Sequence, residues 1–93
     1  MIVGRLYMIL NIPAARSLKD KRRVVKSLVT RIHNKFNASI AEVGDNDKWQ
    51  LVKLGAAVVS NRGDHVNSQL SSIVRMVERE ADLIVVDYQI EID

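Results

Sequence analysis

Hydrophobic and polar positions in the first third of the chain follow two successive periods. Apolar and polar residues alternate over Ile2–Ile12, which predicts a β-strand, and Pro13 ends it because proline cannot donate to a strand ladder. Apolar residues then recur at helical spacing, which predicts a helix over Leu18–Lys35. Ser17 is its expected N-cap, with Asp20 as the acid of a shortened capping box.

The rest of the chain predicts two further strands, a helix and a last strand. Strand-like patterns over residues 38–44 and 49–60 flank a polar turn, so these strands are expected to form a hairpin. An apolar pattern over residues 66–81 predicts a second helix, which Asp64 is expected to cap. A final strand is predicted over Leu83–Ile92.

The element order strand, helix, strand, strand, helix, strand predicts an α+β fold. Two right-handed crossovers joined by a hairpin give the ferredoxin-like βαββαβ arrangement, with a four-stranded antiparallel sheet and both helices on one face. A chain of 93 residues has room for one such domain, spanning residues 1–93. The other sheet face should then lie uncovered, either in solvent or against a second copy in a homodimer. Its expected residues are Val3, Arg5, Tyr7, Ile9, Lys53, Ala57, Val59, Leu83 and Val85.

Composition narrows the class of protein. The chain has no cysteine, which excludes a disulfide framework and a cysteine-based zinc site and fits a reducing cytoplasm. No apolar run is long enough to span a membrane, and the apolar start has neither the charged region nor the cleavage site of a signal peptide. We therefore expect a cytoplasmic protein.

The net charge of +3 conceals a strong asymmetry along the chain. Residues 17–36 contain seven basic residues and one acidic residue, a charge of +6, whereas the remainder holds seven basic and ten acidic residues, a charge of −3. Cations crowd the start of the first helix, where the helix dipole favours acidic residues. A solvated helix face is the simplest interpretation, and an acidic protein partner is another. The conflict with the dipole favours binding to RNA phosphates. The candidate contacts are Lys19, Lys21, Arg22, Arg23 and Lys26.

No pattern of residues predicts catalysis, a cofactor or a metal site. Glu42, Asp45 and Asp47 surround a turn, where acidic residues are common for backbone reasons, and no fourth ligand is near in sequence. His33 and His65 lack partners at ligand spacing. There is no nucleophile elbow and no phosphate-binding glycine loop, so we expect a protein that is not an enzyme.

Two further kinds of residue need an explanation from the fold. Gly4 and Gly55 stand alone within predicted strands, where a bulge or a close backbone approach is usual. Trp49, beside the polar turn, is expected to be a partly buried anchor or else a partner contact. The third strand lacks the aromatic residues of an RNA-recognition motif, so any RNA should be bound through its phosphates and not by base stacking on the sheet.

Several segments together resemble the YlxP-like family of bacterial proteins. The most specific is the run from Ser17 to Leu28, which begins Ser-Leu-Lys-Asp-Lys-Arg-Arg; residues 2–4, 12–13, 35–39, 41–43, 54–55 and 59–60 add to it. The resemblance implies a ferredoxin-like fold in a bacterial cytoplasmic protein without an established activity. It also implies a gene neighbourhood shared with translation initiation factor two and ribosome-binding factor A. That context is an association, but it agrees with RNA or a ribosomal particle as partner.

Overall fold

A computed structural model describes all 93 residues and confirms the ferredoxin-like α+β fold. The sheet has the strand order β2-β3-β1-β4, and every neighbouring pair of strands is antiparallel. Neither helix is long and apolar enough to cross a lipid bilayer. The elements are β1 (Ile2–Asn11), α1 (Leu18–Lys35), β2 (Ser39–Gly44), β3 (Leu51–Ser60), α2 (Gly63–Glu78) and β4 (Ile84–Ile92).

The hydrophobic core lies between the helices and one face of the sheet. Leu6 pairs with Ala56 and Met8 with Leu54, so the even-numbered residues of β1 and β3 share the covered face. Eighteen buried apolar residues form one cluster. They are Leu6, Met8, Leu10, Ile12, Ala15, Leu28, Ile32, Ile40, Val52, Leu54, Ala56, Val58, Val66, Leu70, Ile73, Val74, Val77 and Leu83.

The start of α1 is held by side-chain caps. The Ser17 hydroxyl accepts a hydrogen bond from the Asp20 amide at 3.1 Å, which confirms the predicted N-cap. The Asp20 carboxylate accepts from the Arg16 amide at 3.0 Å, one residue earlier than a capping box requires. The chain is therefore fixed on both sides of the first helical turn.

The predicted cap of α2 is wrong. Arg62 occupies the N-cap position without a side-chain cap, and Asp64 lies inside the first turn, where its carboxylate pairs with the Arg62 guanidinium at 2.6 Å. Because a carboxylate is favourable anywhere near the positive end of a helix, the acidic residue alone did not locate the boundary. The helix ends at Glu78, and Ala81 lies exposed beyond it.

A β-bulge divides β4 into two halves with opposite alternation. Leu10 pairs with Val85, whereas the preceding Ile9 pairs with Asp87, so Val86 is an extra residue on the bulged strand. From Tyr88 onward, even-numbered residues lie on the same face as Met8. Before the bulge, the odd-numbered residues do.

Because of the bulge, two residues predicted for the uncovered face lie on the opposite side of the sheet. Leu83 and Val85 lie on the helix-covered side, where Leu83 is buried in the core and Val85 packs against it. Ile84, opposite Asn11, lies on the uncovered side and is exposed. The prediction assumed one uninterrupted alternation, and a single extra residue exchanges the two faces.

Gly4 confirms the expected close approach inside a strand. It is buried beneath α2, and a β-carbon there would overlap Val66 Cγ1 and lie 2.8 Å from Leu70 Cδ1. The absence of a side chain thus sets how closely α2 packs on β1.

Candidate nucleic-acid interface

Four of the five predicted contact residues share one exposed face of α1. Lys19, Arg22, Arg23 and Lys26 follow the spacing i, i+3, i+4 and i+7, which brings successive members together on a helix surface. All four are exposed, and none has a carboxylate within salt-bridge distance. We call this set the basic stripe; its positive charge is presented to solvent without an internal partner.

The fifth predicted contact, Lys21, is wrong because its side chain is buried. Only 1% of it is exposed, and its Nζ lies 2.7 Å from Glu42 Oε2 on β2. The same ammonium donates to the Asp45 carbonyl at 2.6 Å. Lys21 therefore ties α1 to the β2–β3 hairpin and cannot reach a phosphate from this position.

A signal for this buried pair was present in the sequence. Lys21 continues the core-facing spacing of Leu28 and Ile32 toward the helix N-terminus, so it stands where an apolar residue is expected. Glu42 similarly follows Ile40 by two residues on the covered face of β2. Two opposite charges that each break an apolar pattern indicate a pair, because an isolated buried charge is strongly unfavourable.

The remaining cations of α1 have partners and lie beyond the basic stripe. The Arg31 guanidinium forms an ion pair with Glu80, just past the end of α2. The Lys35 ammonium lies 5.7 Å from the centre of the Phe36 ring, within cation–π range. The unpartnered charge of the helix is thus concentrated in its first half.

The basic stripe does not stabilise the helix that carries it. Like charges three or four residues apart destabilise a helix by roughly 0.2–0.5 kcal/mol per pair. Lys19 also lies in the first turn, where the helix dipole disfavours a cation. Local energetics therefore do not account for the stripe.

The acidic residues near the hairpin turn do not come together. Glu42 is engaged by Lys21, whereas the Asp45 carboxylate lies 3.4 Å from Lys48 Nζ and 3.3 Å from Lys53 Nζ. Burial alone would raise the pKa of Asp45, but hydrogen bonds and attraction from Lys53 and Lys48 outweigh it and lower that pKa. No three side chains of metal-ligating type cluster anywhere in the chain.

Trp49 is an exposed residue, contrary to the expected partly buried anchor. Its side chain is 55% exposed on the turn between β2 and β3. The neighbouring Gln50 provides the anchor instead: its Nε2 donates to the carbonyls of Pro13 at 3.0 Å and Ala15 at 3.1 Å. The turn is thus attached to the loop before α1 while the indole ring stays in water.

The uncovered sheet face is mixed in character and divided in charge. Tyr7 lies opposite Gly55 and is the face's one aromatic residue among the strands, so a base-stacking platform is lacking. The cations Arg5 and Lys53 lie on the central strands, whereas Asp87 and Glu91 lie on β4 at one edge. The exposed large apolar side chains of this face are Tyr7, Val43, Val59 and Ile84.

Comparisons with known proteins agree with this architecture. The chain is similar to the solution structure of a de novo designed protein with a ferredoxin fold. The alignment covers the whole of this chain and 83% of the designed chain, with a TM-score of 0.53 and 17% sequence identity. At that identity the likeness concerns the fold alone.

Sequence comparison also assigns a family. The chain is 41% identical over 64 residues to the uncharacterized protein YlxP of Bacillus subtilis (strain 168), covering 69% of this chain and 70% of that one. The family model described as a protein of unknown function (DUF503) matches residues 3–90. The match spans the basic stripe, the Lys21–Glu42 pair and Trp49. This chain therefore belongs to the DUF503 family, as the YlxP-like resemblance predicted.

Proposed function

We propose that this protein is a non-enzymatic cytoplasmic accessory factor of ribosome assembly or translation that binds RNA phosphates through the basic stripe. The observation that carries the proposal is the set of four exposed, unpaired cations on one face of α1. Phosphate contacts supply most of the sequence-independent affinity of a protein for nucleic acid. A rigid helix holds the four charges at fixed spacing, so little order has to be created on binding.

Two observations support a binding role over catalysis. No serine hydroxyl is hydrogen-bonded to a histidine or a carboxylate: Ser17 caps α1, Ser60 accepts from the Arg62 amide and Ser72 accepts from the Arg75 guanidinium. The ring of His65 is hydrogen-bonded to Gln69 on the exposed surface of α2, whereas the neighbouring Asp64 carboxylate accepts from the His65 backbone amide and not from the ring. The basic stripe is the most distinctive exposed feature.

Reversing the stripe's charge should abolish RNA binding. We expect Arg22→Glu, Arg23→Glu and Lys26→Glu together to eliminate retention of RNA or ribosomal particles at low salt. For the unaltered protein, the slope of log affinity against log salt should be about −3 for single strands if all four cations meet phosphates. Cosedimentation with ribosomal particles and filter binding across a salt series measure both quantities.

A matched pair of variants separates the stripe from net charge. Arg22→Glu/Arg23→Glu and Arg75→Glu/Arg79→Glu change the charge equally, but the second pair lies on exposed positions of α2 and its end. Only the first should weaken binding, and it should leave circular dichroism intact without lowering stability. Two results would contradict the proposal: an equal loss of RNA binding in the two double variants, or retention of RNA that the triple variant leaves unchanged.

The exposed apolar side chains of the uncovered sheet face favour homodimerisation as a second role. A two-fold interface places the same surface of each copy against the other. Face-to-face packing can cover the exposed Tyr7 and Val59, while Arg5 and Lys53 keep their ion pairs with Asp93 and Asp45 within one copy. The stripe lies on α1, behind the sheet, and stays free in such a dimer.

Sedimentation equilibrium tests the dimer directly. We expect a concentration-dependent dimer at micromolar protein that Tyr7→Asp converts to a monomer, because an unpaired carboxylate would be buried at the interface. Val86→Asp, on the exposed bulge of the edge strand, is the control and should leave the dimer intact. A monomer for the unaltered chain at all concentrations would rule the dimer out.

A further inference from the structure

We propose that Trp49 is a stacking platform for one unpaired base of an RNA strand whose phosphates lie on the basic stripe. This inference rests on the proposed function and specifies its ligand as single-stranded RNA. Stacking adds a preference that charge cannot give, because phosphate contacts alone do not distinguish single-stranded from double-stranded RNA. The carrying observation is an exposed indole at the end of the sheet where the basic helix begins.

Hydrogen bonds attach both ends of the Trp49 turn to the segment that opens α1. At one end Lys21 Nζ donates to the Asp45 carbonyl at 2.6 Å. At the other, the Gln50 side chain donates to the Ala15 carbonyl at 3.1 Å, and the Gln50 carbonyl accepts from the Ile12 amide at 2.7 Å. The turn that carries Trp49 is therefore held close to the start of α1, although it follows α1 by more than a dozen residues.

The ring and its neighbourhood suit a base better than an apolar partner. Trp49 follows the polar Asp47 and Lys48 and precedes Gln50, and all three are exposed, so the immediate chain neighbours of the ring are polar. The exposed Arg16, immediately after the residue that Gln50 binds, adds a cation between the turn and the stripe. An aromatic face beside a cationic track is the arrangement that binds single strands without reading their sequence.

One of the local acidic groups, Asp45, is neutralised by two lysines. Asp45 is paired with Lys48 and Lys53, and Asp20 accepts from the Arg16 amide. Asp47 is the exposed carboxylate nearest the ring in sequence. The Asp47 carboxylate would lie against the phosphate backbone of a bound RNA strand only if the base reached the Trp49 ring from the side of Asp47.

Trp49 is the chain's single tryptophan, so its fluorescence reports on this ring alone. We expect decauridylate and decaadenylate to quench its emission on binding at low salt. An abasic ribose-phosphate decamer should bind through the stripe without quenching. A fully paired RNA duplex should also bind without quenching, because its bases are already stacked.

Substitution separates stacking from charge. Trp49→Ala should weaken binding of labelled decauridylate, followed by fluorescence anisotropy, by about tenfold or more while leaving the salt slope unchanged. Trp49→Phe should restore much of the affinity, and Tyr88→Ala, which removes an exposed ring on β4, should have no effect. Circular dichroism checks that each variant is folded.

The outcomes distinguish this inference from the proposed function. Salt-dependent binding of decauridylate without quenching, and with equal affinity for Trp49→Ala, would overturn the stacking role and leave the stripe as the site. Failure of every nucleic acid to bind at low salt would overturn both, and would leave Trp49 as a contact for a protein.

Discussion

Lys21→Met is expected to lower the free energy of unfolding by about 3 kcal/mol. The substitution preserves the length of the side chain but leaves the Glu42 carboxylate, which is 15% exposed, without its counter-charge. It also removes the donor to the Asp45 carbonyl. Removing one partner of a buried pair is costly because the other charge stays desolvated. For a domain of this size, the loss corresponds to a melting temperature lower by more than about 10 °C.

The second partner makes the expectation specific. Lys21→Met/Glu42→Leu should recover most of the stability, because apolar replacement of a whole buried ion pair is often neutral or stabilising. A small residual loss, about 0.5 kcal/mol, is expected because the Asp45 carbonyl loses one of its two donors and keeps the Lys48 amide at 3.0 Å. Lys26→Met, on the exposed face of the same helix, is the control and should change stability by less than about 0.5 kcal/mol.

Denaturant unfolding of the unaltered protein, Lys21→Met, Glu42→Leu and Lys21→Met/Glu42→Leu forms a double-mutant cycle, and Lys26→Met is measured beside it as the control. If Lys21→Met were as mild as Lys26→Met, the ammonium of Lys21 would have to be solvated in solution. It would then become available to the basic stripe. If the double variant were no better than the single one, the two side chains would not be energetically coupled.

Gly4→Ala is expected to destabilise the fold by about 1–3 kcal/mol through overpacking. The new methyl group would overlap Val66 Cγ1 and approach Leu70 Cδ1 to 2.8 Å. Both side chains are fully buried, so they have no open space to enter and α2 must move away from β1. The loss of helix–sheet contact then adds to the local strain.

A compensating variant tests the steric origin of this effect. Val66→Ala removes the overlapping carbon, so Gly4→Ala/Val66→Ala should be more stable than the sum of the two single effects. Gly63→Ala is the matched control: a β-carbon there lies 3.9 Å from Ile2 Cδ1, an ordinary contact at the start of α2. Its stability should be unchanged or slightly higher. Thermal unfolding that finds Gly4→Ala as mild as Gly63→Ala would show that α2 adjusts without cost.

Hydrophobic periodicity was sufficient to predict most of this fold. The two periods located all six elements, and helix α1 begins and ends at the predicted Leu18 and Lys35. The order of the elements then predicted the ferredoxin-like arrangement, because crossover connections are right-handed and a short polar turn joins two strands into a hairpin. The periodicity did not fix the end of an element where more than one nearby residue suits the terminal position, as Arg62 and Asp64 show at the start of α2.

The candidate site was predicted in outline from charge and was corrected by packing. The count of basic residues does not tell which of them face solvent; the one local sign is that Lys21 continues the core-facing spacing of Leu28 and Ile32. Lys19, Arg22, Arg23 and Lys26 lie outward, whereas Lys21, between them in the chain, lies under the helix against β2. A helix turns by about 100° per residue, so adjacent cations can have opposite surroundings.

By itself, the sequence determined the elements, their order and the concentration of positive charge on the first helix, since each depends on residues close together in the chain. Only the tertiary structure decided which charges are free, which face of β4 is buried and where Trp49 lies. Those features depend on partners distant in sequence: Glu42 for Lys21, Ile9 and Leu10 of β1 for the bulge at Val86, and the loop before α1 for Gln50. Such contacts gain their free energy from surfaces that meet only when the chain folds. A local pattern of residues therefore does not determine them.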